Sequence, residues 1–241
     1  MDLNTGNTMA LESFDAIYER VRKRKGSQKM LESLLSKTVS KAQLAKIPDD
    51  RFLAEFSKKV FQSGFVWRVV RQKWPDFEEV FWGFNIDKIV LMPDEMLEKK
   101  ATDPKIIRNL NKVRTIRDNA MMIKDVSREH GSFANFVANW DASDIIGLWA
   151  FLKTNGARLG GNTGPYALRF LGVDTFLLSQ DVEGYFVQHG IISGSARSKR
   201  SLSAIQNAFN CWHEQSGRSY TELSQLLAFS VGDNYVGMKI I

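Results

Sequence analysis

The stretch LGGNTGPYALRF, Leu159 to Phe170, sets three glycines and a proline between two segments of helical period. Inside a helix, glycine costs about 1 kcal/mol and proline about 3 kcal/mol relative to alanine. Their clustering therefore marks a turn in which the backbone itself is wanted. IIGLWAFLKTNG (145–156) precedes it and PYALRFLG (165–172) succeeds it, both reading as helix. Pro165 fits the first helical position, where no N–H is lost. A glycine turn at a helix N-terminus can aim bare amides outward at a phosphate oxygen, assisted by the helix dipole. The alternative is an αα-hairpin whose glycines only satisfy backbone angles.

Outward from this turn, nearly every segment has helical period and none alternates as a strand would. ALESFDAIYERVRKRKG closes at Gly26, and Ser27 caps the next helix. IPDDRFLAEFSKKVFQSG offers Asp49 or Asp50 as N-cap and Gly64 as stop. FVWRVVRQKW runs to Pro75, where PDFEEVFWGF starts again, and the longest helix starts near Pro104. VDTFLLSQ (173–180) is an extended link, and Asp181 is the natural N-cap of the helix after it. The expected class is all-α, with ten or more helices.

The 241 residues are 44% hydrophobic and 25% charged, the balance of a globular chain with a sizeable core. No apolar run reaches the roughly 18 residues that span a bilayer, and the polar, acidic N-terminus does not read as a signal peptide. A single cysteine, Cys211, excludes an internal disulfide and suits a reducing compartment, so a cytoplasmic, nucleoid-associated bacterial location is expected. The net charge of +6 favours an acidic partner, of which nucleic acid is the commonest.

Asp181 comes after Ala167 with thirteen residues between them. A carboxylate at a helix N-terminus stays ionised and can stabilise positive charge developing on a sugar or orient a water; the plain alternative is a capping aspartate. This constellation resembles the helix-hairpin-helix superfamily of DNA glycosylases, whose hairpin commonly reads Leu-Pro-Gly-Val-Gly before a helix, a hydrophobic link and an aspartate. Leu159, Gly161 and Ala167 match in register, with Gly160, Asn162 and Thr163 standing for the proline, the apolar residue and the second glycine. Within the superfamily, four segments in order resemble the 3-methyladenine DNA glycosylase I family. They are the stretch with Gln62, Gly64 and Trp67, read as a pocket-forming helix; the adjoining segment down to Ile89; the long helix with Ile107, Arg108, Lys112, Asn119 and Ala120; and GSFANFVANW.

The resemblance implies a two-lobed helix-hairpin-helix glycosylase fold with extra N-terminal helices. The expected division is a 1–48 extension, a 49–190 core with its hairpin at 159–164, and 191–241 packing on the core. It implies a monofunctional DNA glycosylase acting on a 3-methyladenine-type or other damaged purine in double-stranded DNA, as a monomer without cofactor. The alternative is a non-catalytic damage-binding module on the same scaffold. Asp181 would be catalytic. Trp67 would stack the extruded base, within a pocket including Gln62, Phe65, Lys59 and Glu55. Gly160, Gly161, Asn162, Thr163, Gly164 and Arg158 would hold the phosphate backbone. Arg197, Lys199 and Arg200, in a flexible basic loop, would add phosphate contacts, with a solvated surface as the alternative. The N-terminal helices would clamp the lobes by burying Leu11, Phe14, Ile17 and Val21.

Departures from the family pattern stand out at the base-reading position and at the metal site. The family's base-reading glutamate falls at Lys59, and Glu55 lies one turn earlier, an i,i+4 spacing that reads as an exposed ion pair. Pro165 occupies the place where lyase members carry a Schiff-base amine, with Lys153 a remote substitute, so no lyase activity is expected. The family's structural zinc needs two cysteines and two histidines; one cysteine and His130, His189 and His213 cannot supply that set. Elemental analysis of the purified protein is expected to find no stoichiometric zinc; one tightly bound equivalent would overturn this reading.

Overall fold

The computed structural model describes residues 11–232, and within them every regular element is helical. The chain forms two compact units, one from residues up to 37 together with those from 175 onward, the other from the continuous stretch 38–174. The boundaries expected at 48/49 and 190/191 thus fall inside units. No helix among the described residues is long and apolar enough to cross a membrane.

The discontinuous unit is built from both ends of the sequence. Helix α1 (Phe14–Lys25) is capped by Ser13 and ends at Gly26, and α2 (Gln28–Leu34) is capped by Ser27. Beyond the link, α12 (Gln180–Gln188), α13 (Lys199–Ser216) and α14 (Tyr220–Ser230) complete the unit. Phe14, Ile17 and Val21 are buried and Leu11 half-buried; α1 packs on α13 and α14. Within this unit the N-terminal helix is a partner of the C-terminal pair. Phe176 stacks on Phe209 at 4.2 Å, and Trp212 donates its indole N–H to the Glu12 carbonyl at 2.8 Å.

The Glu12 side chain fixes the start of α1. It accepts two hydrogen bonds from Arg20, at 2.6 and 2.8 Å, and one from the Tyr185 hydroxyl at 2.8 Å. The Arg20 bonds chiefly hold this carboxyl below its ordinary value of 4.5, against the opposing effect of burial.

The continuous unit contains α3 (Lys41–Leu44), α4 (Asp49–Gln62), α5 (Trp67–Val80), α6 (Ile86–Val90), α7 (Asp94–Ala101), α8 (Leu110–His130), α9 (Phe133–Ala138), α10 (Ile145–Asn155) and α11 (Thr163–Phe170). α4 is the central element, packing on α5, α8, α9 and α11 and burying Phe52, Phe56 and Phe61. Its N-cap position is Pro48, which has no capping bond. Asp49 sits inside the first turn, and its carboxylate accepts from the Phe133 and Ala134 amides at 3.0 and 3.2 Å, serving the start of α9 instead.

Pro75 does not split α5. Trp74 stacks on Phe77 and Phe84 at 5.1 and 5.3 Å, and this packing carries the helix through the missing backbone bond. The long helix begins at Leu110, later than Pro104, because the Asn109 side chain caps it through the Lys112 amide.

Glu12→Gln is expected to lower stability at pH 7 by about 1–2 kcal/mol, through the lost charge-assisted bonds. Since the folded carboxyl titrates below its unfolded value, its contribution is full above about pH 4.5 and fades as pH falls through the folded pKa. Thermal melts of both proteins across pH 3–7 check this: the gap in Tm should close at the acid end.

Candidate base pocket and hairpin

The polar part of the candidate pocket comes from the last two turns of α4. Glu55, Lys59 and Gln62 are spaced i,i+4 and i,i+3 and so share one helix face. The Lys59 ammonium lies 3.1 Å from Glu55 Oε1 and donates to Gln62 Oε1 at 3.1 Å. Lys59 is only 4% exposed, so the pair expected on the surface is buried instead. Glu55 Oε1 is equally enclosed and, apart from this ammonium, meets no donor among the described residues. Burial pushes the Lys59 ammonium below its ordinary range, and the Glu55 carboxylate works against that shift.

Aromatic rings cover this face. The Lys59 Nζ is 3.2 Å from the centre of the Phe170 ring and 5.4 Å from that of Trp67. Trp67 meets Tyr166 edge-on at 6.0 Å. Trp67 is 41% exposed and Phe170 61%, too open for core residues of a packed unit. The break falls where Gly64 is expected to stop the helix: α4 ends at Gln62, Gly64 turns at φ +67°, and Trp67 opens α5. Phe65, also exposed, lies on the intervening turn.

That turn is tied down from behind. Lys112 of α8 donates its ammonium to the Phe61 and Ser63 carbonyls at 3.1 and 2.7 Å, satisfying acceptors that the end of α4 leaves open. Lys112 is legible in the sequence as a match in register but not in this role. Tyr166 and Phe170 do not stand out from sequence at all. Their i,i+4 spacing on the helix after the hairpin is the available signal, and it reads equally well as core.

The helix–turn–helix at 145–170 has the expected form. Helix α10 ends at Gly156, and α11 begins at Thr163, earlier than expected, so Pro165 is the third helical residue. Its absent N–H still leaves no intrahelical bond unmade, since the first four amides have no such partner. Leu159 is fully buried and its carbonyl accepts from the Gly164 amide at 3.0 Å. A Cβ at Gly164 would lie 2.5 Å from that carbonyl oxygen, so only glycine fits. Gly161 turns at φ +63° on the exposed tip. The Lys153 stem packs against Gly160. Arg158 is exposed beside the tip.

The base of the hairpin is clamped by Asn119, which is wholly buried on α8. Its side chain donates to the Ala157 carbonyl at 3.1 Å and accepts from the Ala157 amide at 2.8 Å. One amide side chain thus reproduces both bonds of a strand pair.

In the other unit, the N-cap of α12 is Ser179, whose hydroxyl accepts from Val182; Asp181 is the second helical residue, not the cap. Ser179 and Asp181 are both capping types, and the extended link ends early enough for the serine to take the position. Lys199 and Arg200 belong to the first turn of α13 under a Ser198 cap, so they are not in a loop. Arg197 does precede the helix and pairs with Glu183 at 2.8 Å. His189 and His213 each face a backbone carbonyl, at 2.9 and 2.7 Å. Among the described residues no cluster of three metal-ligating side chains occurs.

Residues 44–154 match the methyladenine glycosylase family. That match takes in the α4–α5 candidate pocket and Asn119 and stops just before the hairpin, shorter than the 49–190 core expected from the resemblance. No curated protein matches the chain. Among solved structures, the 8-oxoguanine DNA glycosylase of Thermotoga maritima is 19% identical, with 93% of this chain and 99% of that one aligned at a TM-score of 0.50. The Methanocaldococcus jannaschii 8-oxoguanine glycosylase/lyase, solved with 8-oxoguanine DNA, is 15% identical over 89% and 96% of the two chains, TM-score 0.50. The 3-methyladenine DNA glycosylase I of Staphylococcus aureus is 17% identical over 70% and 92%, TM-score 0.48. The first two share the helical DNA glycosylase fold.

Asn119→Ala is expected to cost about 2–3 kcal/mol, because it strips partners from a buried backbone amide and carbonyl. Denaturant titration measures that loss; faster amide exchange at Ala157 locates it at the hairpin.

Proposed function

Because residues 44–154 match the methyladenine glycosylase family, we propose that this protein is a monofunctional DNA glycosylase of base excision repair, acting on a damaged purine in duplex DNA. The observation that supports this most is the pairing of exposed aromatic faces with buried polar groups. Trp67 and Phe170 offer ring surface, the Lys59 ammonium lies against it, and Gln62 accepts from that ammonium. A base taken out of the stack needs that combination: a face to lie on and groups to read its edge.

In this reading Trp67 stacks the base, Gln62 and Lys59 read it, Glu55 holds Lys59, and Phe65 borders the pocket. Gly160, Gly161, Asn162, Thr163 and Gly164 present backbone to a phosphate, with Arg158 beside them. Arg197, Lys199 and Arg200 add positive charge for the same anionic backbone. Asp181, in the first turn of α12, stabilises the oxocarbenium-like sugar or orients the water. Pro165 offers no amine at the Schiff-base position, which leaves hydrolysis without strand cleavage.

Asp181→Asn is expected to reduce base release about 100-fold or more while duplex affinity changes less than about twofold. Equal loss of both would make Asp181 a structural residue of α12. Borohydride treatment on damaged DNA should trap no covalent adduct, and a trapped species would assign lyase activity. A wild-type protein that binds lesion DNA but releases no base would be a damage-binding module.

A further inference from the structure

The ammonium of Lys59 has three N–H donors. Gln62 Oε1 accepts one of them at 3.1 Å, Glu55 Oε1 lies 3.1 Å away as the ion-pair partner, and the face of Phe170 lies against the same nitrogen. Phe170 is 61% exposed, so its ring can be displaced by a planar ligand. Trp67, at 5.4 Å from the same nitrogen, supplies a second ring face that remains. An aromatic ligand lying there meets a hydrogen-bond donor that carries positive charge and has no spare acceptor.

Resting on the glycosylase reading above, we propose that Lys59 makes this pocket selective for a neutral purine that presents a carbonyl oxygen, and turns it against cationic alkylated bases. Deaminated and oxidised purines, hypoxanthine and 8-oxoguanine, have that edge. 3-Methyladenine is cationic in DNA and offers an amino group where the carbonyl would be. 7-Methylguanine keeps a carbonyl but is cationic, so it separates the two demands. The burial of the Lys59 ammonium strengthens the discrimination, since like charges repel more strongly where water is excluded. Glu55 offsets part of this charge, but it is the ammonium that lies against the rings where the ligand would sit. Burial lowers the proton affinity of Lys59, but even its neutral amine can donate to a carbonyl.

The test uses the full-length protein, Lys59→Gln and Lys59→Met, each checked for native helicity by circular dichroism. Release is measured from duplexes carrying one hypoxanthine, 8-oxoguanine or 7-methylguanine, and from methylated DNA for 3-methyladenine. Affinity for the three single-lesion duplexes is read by fluorescence anisotropy. Wild type should release or bind the better neutral purine at least tenfold more strongly than 7-methylguanine, and should release 3-methyladenine least. Both variants should narrow that ratio to within about threefold. Equal or faster handling of the cationic bases by wild type, or an unchanged ratio in the folded variants, overturns the proposal. Absence of release from every substrate defeats the glycosylase reading alone, because the affinity ratio still decides the role of Lys59.

Discussion

An ammonium withdrawn from water has to be met by oxygen, and the end of α4 is arranged around that demand. At about 3 Å and an effective dielectric near 20, a carboxylate returns on the order of 5 kcal/mol to a lysine, comparable with the several kcal/mol that burial takes away. Glu55 and Gln62 are placed to supply this because both lie within one turn of Lys59 on the same helix face. Phe170 completes the enclosure from α11. The pair therefore links the α4 face to the second helix of the hairpin, so a change at Lys59 is felt in both.

The neighbouring supports obey the same rule of satisfied polar groups. Lys112 takes up carbonyls at the end of α4, Asn119 takes up the amide and carbonyl of Ala157, and Asp49 takes up amides at the start of α9. Two of the three side chains come from α8, which makes that helix the frame for both the pocket turn and the hairpin. Side chains held by such bonds keep their geometry when a ligand arrives.

The local grammar of the sequence is readable where one residue type has one role. Gly26 as a stop, Ser27 as a cap and the helix–turn–helix around Gly164 need no tertiary information. It misleads where packing outweighs propensity, as in α5, where three aromatic rings carry the chain through Pro75. It cannot choose between neighbouring capping residues, so Asp181 reads as the cap where Ser179 stands. The burial of Lys59 is invisible in the sequence because it depends on a ring contributed from more than a hundred residues downstream. The family resemblance points to the segment of the candidate pocket; the aromatic partners Tyr166 and Phe170 become visible only with α11 packed on α4.

The sequence order of the two units has a consequence for synthesis. Residues 38–174 contain all the partners of their own unit, so this part is complete once the chain has been made to that point. Helix α1 is made before residues 38–174 yet packs on α13 and α14, which are made after them. During translation its apolar stripe of Phe14, Ile17 and Val21 has only α2 of its native partners while residues 38–174 take shape. This helix thus leaves the ribosome well before the surface that receives it.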